Sequence, residues 1–132
     1  MSPIGTNGIV VDLLVDTDVF ADHVRGVQAL RPGGNRISYS VVTRCELFAG
    51  HRADEEGLRL LLGSFRELPV DHAVAERAGR LRRAARINTA DALLAATALH
   101  HGLTLMTGQR HRFDGLPGLR VRTPCPFSSS LG

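Results

Sequence analysis

Two patterns of apolar residues alternate along the chain. Short apolar or alternating runs bounded by turn residues predict five strands, in IVVDLLVD, RISYS, ELPV, LTLMTG and LRVRT. Segments between them carry apolar residues at helical spacing and predict five helices, in VFADHVRGVQAL, VVTRCELFAG, DEEGLRLLLGSF, DHAVAERAGRLRRAAR and INTADALLAATALHHG. Because strands alternate with helices, we predict an α/β sandwich around a mainly parallel sheet.

Residues that favour helix ends mark several boundaries. Ser40 is suited to the N-cap of VVTRCELFAG, and Gly102 to the C-terminal cap of the last helix. We place one domain at residues 13–123, after a lead-in at 1–12 and before a flexible tail at 124–132.

The composition is that of one soluble globular domain, with 132 residues, of which 43% are hydrophobic and 22% charged. The first residues carry no basic cluster, and no apolar run reaches the roughly 18 residues that span a membrane. We therefore expect neither a secretory signal nor a membrane partner. Cys45 and Cys125 are interpreted as reduced thiols, and the cytoplasm as the compartment.

All 16 basic residues are arginine, and the net charge is +3. Arginine is favoured for bidentate contact with phosphate, so this usage is compatible with a nucleic-acid partner. A nucleotide bias of the genome explains it equally and is the simpler interpretation. The charge alone therefore identifies no partner.

Carboxylates stand at several places where the local pattern is apolar. Asp16 and Asp18 follow the strand residues LLV directly, and Glu46 lies within the helix VVTRCELFAG. Asp91 is the only charged residue between Asn88 and Leu99, in a helix that is apolar nearly all round. Burying an unpaired carboxylate is costly, so each placement calls for an explanation.

Each acid has a local explanation that needs no function. These explanations are a place in the first turn of a helix for Asp16 and Asp18, an ion pair with Arg44 for Glu46, and a capping box with Asn88 for Asp91. These local explanations weaken when the acids are taken together. The acids lie at a strand end and on two helices that look buried, and if these elements pack around one edge of the sheet, the carboxylates converge there.

A cluster of like charges needs a cation, and oxygen ligands suit Mg²⁺ or Mn²⁺. The histidines and cysteines lack the spacing of a zinc site, and no Ser/His/Asp or Cys/His arrangement is evident. Divalent ions held by carboxylates bind phosphodiesters and activate water. The acids therefore predict metal-assisted hydrolysis of a phosphodiester.

Three fragments in this order resemble a known family: LLVDTDVF, ISYSVVTRCELFAG and NTADALLAATALHHGLTLMTGQRHRFDGLPGLRV. They look like a PIN-domain ribonuclease, and most like the VapC toxins of bacterial toxin–antitoxin pairs. The resemblance spans roughly Leu13 to Arg122. It implies a three-layer α/β/α fold and an endoribonuclease dependent on Mg²⁺ or Mn²⁺. It also implies a homodimer, silenced by a cognate antitoxin that often reaches the acids with a basic residue.

The resemblance also implies roles for single residues. By position, Asp16, Glu46 and Asp91 match the family's metal-binding, catalytic acids. Thr17 and Thr107 match hydroxyl positions that support the site.

This chain departs from the family at three points. Gln109 stands where relatives often have Asp or Asn, so we expect it to support the site by hydrogen bonding rather than as a fourth acid. The connection before Asp91 is shorter than usual, and the lead-in before Leu13 is longer. The neighbouring Arg110 and Arg112 are expected to guide the RNA backbone by phosphate contacts.

Two alternatives remain open. Because of Gln109, the chain is alternatively a weakly active or inactive PIN-like module that binds RNA or a partner. DTDVF also matches the opening of haloacid-dehalogenase-type phosphatases, with Asp16 as nucleophile and Asp18 as general acid. Those enzymes usually use a lysine, and this chain has none.

Overall fold

Five parallel strands form one sheet in the order β3-β2-β1-β4-β5 in a computed structural model, which describes residues 10–124. Every neighbouring pair is parallel. The strands are β1 (Asp12–Val15), β2 (Arg36–Ser40), β3 (Arg66–Leu68), β4 (Thr104–Met106) and β5 (Val121–Arg122). The helices are α1 (Thr17–Val24), α2 (Val41–Phe48), α3 (Glu55–Leu62), α4 (His72–Ala84) and α5 (Thr89–His101). The strands and helices alternate, as predicted.

Capping residues account for several helix ends. Ser40 caps α2 by accepting from the Val42 amide, as predicted, and Gly102 ends α5 in the left-handed conformation at a φ of 67°. Helix α1 is shorter than predicted and begins earlier, because Asp16 caps it and it ends before Gly26, whose φ is 74°.

Alternating side chains of β1 pack the sheet on both faces. Leu13 and Val15 join Phe20 of α1 and Tyr39 of β2 on one face. Leu14 joins Leu94 and other residues of α5 on the opposite face. The sheet therefore lies between two helical layers, which confirms the α/β/α sandwich.

Burial of the two helices that carry predicted site acids differs. Helix α5 is buried along most of its length, including Asp91, as its apolar composition predicted. The expectation that α2 is equally buried is wrong, since Thr43 is its only buried residue and both Cys45 and Glu46 are exposed. Helix α2 lies at the rim of the sheet, where one face contacts the fold and the other meets solvent.

The strand order places a topological switch point beside β1. Strand β2 lies on one side of β1 and β4 on the other, so the connections leave in opposite directions. The crevice at the carboxyl ends of strands beside a switch point is the usual site location in open α/β sheets. Asp16 follows β1 there, and Thr107 follows β4.

Residues 10–124 include the whole of the domain predicted at 13–123. Asp12, which we assigned to the lead-in, is the first residue of β1. The remaining lead-in up to residue 9, and residues 125–132 of the predicted tail with Cys125, lie outside the described residues. No helix among residues 10–124 is long and apolar enough to cross a membrane.

Candidate functional site

Asp16 is a buried carboxylate at the switch point, with 2% of its surface exposed. Its backbone amide donates to the Met106 carbonyl at 2.9 Å, which ties the end of β1 to β4. Its Oδ1 atom accepts from the Thr17 amide at 2.7 Å and so caps α1, and its Oδ2 atom accepts from the Thr107 hydroxyl at 2.8 Å. The local capping explanation for Asp16 is therefore realised through Oδ1, while Oδ2 is held by a residue that follows β4.

Asp91 is a second buried carboxylate, with 4% of its surface exposed. Its amide donates to Asn88 Oδ1 at 2.8 Å, and Asn88 Nδ2 donates back to Asp91 Oδ2 at 3.2 Å. This mutual contact is close to the capping box considered above. It engages Oδ2 and leaves Oδ1 for a partner outside the helix.

Arg112 joins the two carboxylates. Its Nη2 atom forms an ion pair with Asp16 Oδ2, and its Nη1 atom lies 3.0 Å from Asp91 Oδ1. The arginine side chain is 29% exposed, whereas those of Asp16 and Asp91 are 3% and 6% exposed. Two of the three acids expected to converge, Asp16 and Asp91, thus lie together, and a guanidinium lies between them.

Glu46 reaches the site through hydroxyl groups. The Thr17 hydroxyl donates to Glu46 Oε1 at 2.5 Å and lies 3.0 Å from the Thr43 hydroxyl. The alternative ion pair of Glu46 with Arg44 is not formed, because Arg44 contacts Glu67 and Tyr39 instead. Thr17 therefore links α1 to the face of α2 that carries Thr43 and Glu46.

Burial and like charges shift the pKa of two acids at this site. Burial raises the pKa of Asp91, and the nearby charges of Asp16 and Glu46 add to the rise while Arg112 opposes it. Burial and the charge of Asp16 also raise the pKa of Asp18. Like-charge repulsion is the smaller cause of each rise, and a cation beside these carboxylates would relieve it.

Asp18 lies beside this cluster in the first turn of α1. Its Oδ2 atom accepts from the Gly108 amide at 3.1 Å. Its Oδ1 atom is buried and has no hydrogen-bond partner among the described residues. A buried acceptor without a donor is costly, so this atom suits a water molecule or a cation.

The loop after β4 carries the remaining predicted residues. The backbone amide of Gln109 donates to the Thr107 hydroxyl at 3.1 Å. The Gln109 side chain is exposed and does not cap the 3₁₀ turn Arg110–Phe113. Arg110 is exposed on this turn, whereas Arg112 points into the acids. The Gln109 contribution observed here thus comes from its backbone.

Sequence reasoning missed two features of this site. Thr43 gave a signal, because it lies three residues before Glu46 and therefore on the same face of α2. The inward direction of Arg112 had no local signal.

The donor set fits a hard divalent cation. Asp16 and Asp91 supply buried carboxylate oxygens, and Glu46 and Asp18 lie beside them with further oxygens. Among the described residues, no three Asp, Glu, His or Cys side chains stand close enough to hold an ion without rearrangement. The positive charge of Arg112 stands at the carboxylate oxygens that an ion would use.

Comparison with known proteins places this geometry in a family. Residues 8–117 match the model of the PIN domain. A ribonuclease named VapC10 from Mycobacterium tuberculosis H37Rv is 40% identical over 107 residues, covering 72% of this chain and 80% of the relative.

Solved structures share the fold. A toxin–antitoxin complex from Klebsiella pneumoniae has a chain 28% identical to this one, with a TM-score of 0.70 over 88% of this chain and 99% of that one. A VapBC-5 toxin–antitoxin structure from M. tuberculosis is also 28% identical, with a TM-score of 0.57 over 88% and 98% of the two chains.

Proposed function

The chain belongs to the PIN domain family, and from this premise we propose that it is an endoribonuclease, the toxin of a toxin–antitoxin pair. It hydrolyses RNA phosphodiester bonds in the cytoplasm, where its substrate lies. The relative VapC10 is named a ribonuclease, and the structural neighbours from K. pneumoniae and M. tuberculosis are toxin–antitoxin assemblies.

The observation that carries this proposal is the pair of buried carboxylates, Asp16 and Asp91, bridged by the Arg112 guanidinium. Asp16 and Asp91 come from distant parts of the chain and are both more than nine-tenths buried. Two such carboxylates are unstable together without a positive partner. The energetic cost of holding two buried carboxylates so close together supports a catalytic use for them in addition to the cap that Asp16 provides for α1.

We propose Mg²⁺ or Mn²⁺ as the cofactor, held by Asp16, Asp91 and Glu46. When bound, the ion lowers the pKa of a water molecule and stabilises charge on the leaving oxygen. Thr107 and Asn88 hold the two buried acids in place, and Thr17 orients Glu46. Burial of the acids excludes bulk water from their inner oxygens.

The exposed Arg110 is proposed to contact RNA phosphates beside the site. The predicted phosphate contact of Arg112 requires its guanidinium to leave the carboxylates. Neither contact reads bases, so both position the strand.

The proposed protein partner is a cognate antitoxin with a basic segment. Asp16 and Asp91 already hold a guanidinium within this chain, which supports a basic side chain as a chemically matched cover for the site. The homodimer remains a prediction from the family resemblance.

A metal-dependence assay tests the proposal. Partner-free protein is incubated with total bacterial RNA in Mg²⁺, Mn²⁺ or EDTA, beside Asp91→Asn and the control Asp22→Asn, an acid that contacts Arg25 on the surface. We expect discrete fragments that require the ion, persist in the control and vanish in Asp91→Asn. Absence of cleavage by the wild-type protein under every ion would contradict the enzyme and favour the binding module. Undiminished cleavage by folded Asp91→Asn would contradict the assigned site.

A further inference from the structure

Arg112 differs from the other ion-paired arginines of the described chain. The pairs Arg25–Asp22, Arg36–Asp12 and Arg59–Glu55 each join two exposed side chains. In the pair Arg44–Glu67 the two side chains are 35% and 36% exposed, and the arginine contacts a single acid. Arg112 contacts two acids, and both are buried. A charged pair in this setting is energetically more important than a surface pair, because water screens it less.

Few other contacts hold the guanidinium in this position. The backbone of the turn is anchored, since the Arg112 amide donates to the Gln109 carbonyl at 3.0 Å and Phe113 is buried. Within residues 10–124, the polar partners of the side chain are the two carboxylates, and its guanidinium also lies over the Phe113 ring, whose centre is 5.3 Å from Cζ. Its Nε atom is buried and has no partner within the described residues.

This geometry lets the side chain leave while the fold stays intact. The Arg112 side chain is 29% exposed, so part of it already meets solvent. Rotation about its side-chain bonds needs no change in the backbone of the turn. Departure would remove the only side-chain cation that contacts Asp16 or Asp91 among residues 10–124.

We propose that Arg112 is an internal counterion that competes with the divalent ion for Asp16 and Asp91. This inference rests on the proposed metal-dependent function. Without the ion, the guanidinium neutralises the acids and keeps them assembled; with the ion, it is displaced from Asp16 Oδ2 and Asp91 Oδ1. The same displacement frees it for an RNA phosphate, so binding of RNA and of the ion would assist each other.

The test measures Mn²⁺ affinity by calorimetry without RNA, on the wild-type protein, Arg112→Gln and Arg110→Gln. Arg110 is the matched control, because it carries the same charge on the same turn and is exposed. We expect Arg112→Gln to bind Mn²⁺ at least about tenfold more tightly than wild type, and Arg110→Gln to change affinity by less than about threefold. In EDTA, Arg112→Gln should also unfold at a lower temperature than wild type, since its buried acids lack a cation.

A second measurement uses the wild-type chain, so the test does not depend on the folding of a variant. In ¹⁵N NMR spectra, the Arg112 guanidinium should rotate and exchange slowly in EDTA and rapidly after saturation with Mg²⁺. An Arg112 signal that Mg²⁺ leaves unchanged would overturn the competition, as would equal or weaker Mn²⁺ affinity in Arg112→Gln with cleavage of RNA intact in the wild type. If neither protein binds Mn²⁺ at millimolar concentration, both this inference and the proposed metal dependence are wrong.

Discussion

The hydroxyl of Thr107 donates a 2.8 Å hydrogen bond to Asp16 Oδ2 across 91 positions of the chain. Both residues follow the carboxyl ends of neighbouring parallel strands, β4 and β1. The contact exists because the sheet brings these two ends side by side at the switch point. It gives a buried carboxylate a donor that stays in place when its cationic partner changes.

Thr107→Val should destabilise the protein and slow cleavage. Valine keeps the shape but removes the donor to a buried carboxylate, which costs about 1–3 kcal/mol. We expect a loss of that size in urea unfolding in EDTA, and cleavage of RNA slower by roughly tenfold or more. Thr104→Val is the control, because Thr104 is a buried threonine of β4 whose hydroxyl accepts from Arg120. Equal effects of the two substitutions on cleavage would contradict a specific role for Thr107.

Glu46→Gln should abolish activity with little effect on stability. Glu46 is exposed, so the substitution removes charge without opening a cavity, and the free energy of unfolding should change by less than about 0.5 kcal/mol. We expect cleavage to fall by roughly 100-fold or more, since a proposed metal ligand is lost. Glu76→Gln on the exposed surface of α4 should leave cleavage unchanged. Near-wild-type rates for Glu46→Gln would remove Glu46 from the assigned ligands.

Asp18→Asn should stabilise the metal-free protein at neutral pH. Because burial raises the pKa of Asp18, the folded state holds this proton more tightly than the unfolded chain does. The wild-type protein therefore loses stability as pH rises from about 3.9, the ordinary aspartate value, through the raised folded-state pKa.

The Asn variant lacks this loss, so its stability relative to wild type should rise over that pH interval and be constant above it. Thermal unfolding in EDTA between pH 3 and 8 measures the difference, with Asp22→Asn as an exposed comparison. A difference between Asp18→Asn and wild type that does not vary with pH would show that the carboxyl is not perturbed in the fold.

Asn88→Ala should separate helix capping from support of the site. Asn88 caps α5 and also donates to the Asp91 side chain, whereas Asp71 caps α4 by accepting from the Val74 amide at 2.9 Å. Loss of either cap should cost about 1 kcal/mol in urea unfolding. Only Asn88→Ala should also slow cleavage, by roughly tenfold or more, because Asp91 loses its orienting donor. Equal cleavage rates for Asn88→Ala and Asp71→Ala would limit Asn88 to capping.

The acids show how far local pattern reaches. Asp91 stands alone in an apolar helix, and the strand before Asp16 is continuous and apolar, so their burial was predictable from neighbours in sequence. The burial of Glu46 was predicted wrongly, because apolar residues around a helix indicate burial of the whole helix only if other elements cover both of its sides. Its exposure depends on α2 lying at the rim of the sheet, which is a property of the whole fold.

The sequence by itself determined the alternation of strands and helices, the caps at Ser40 and Gly102, and the convergence of Asp16 and Asp91. These features follow from side-chain periodicity, from backbone preferences of single residues and from the common edge of the sheet at which β1 ends and α5 begins. Only the tertiary structure decided that Arg112 turns inward onto both acids while Arg110 faces solvent, although both lie in one short turn. The direction of a long, charged side chain depends on which opposite charges the fold brings within its reach, and those charges come from positions 21 and 96 residues away.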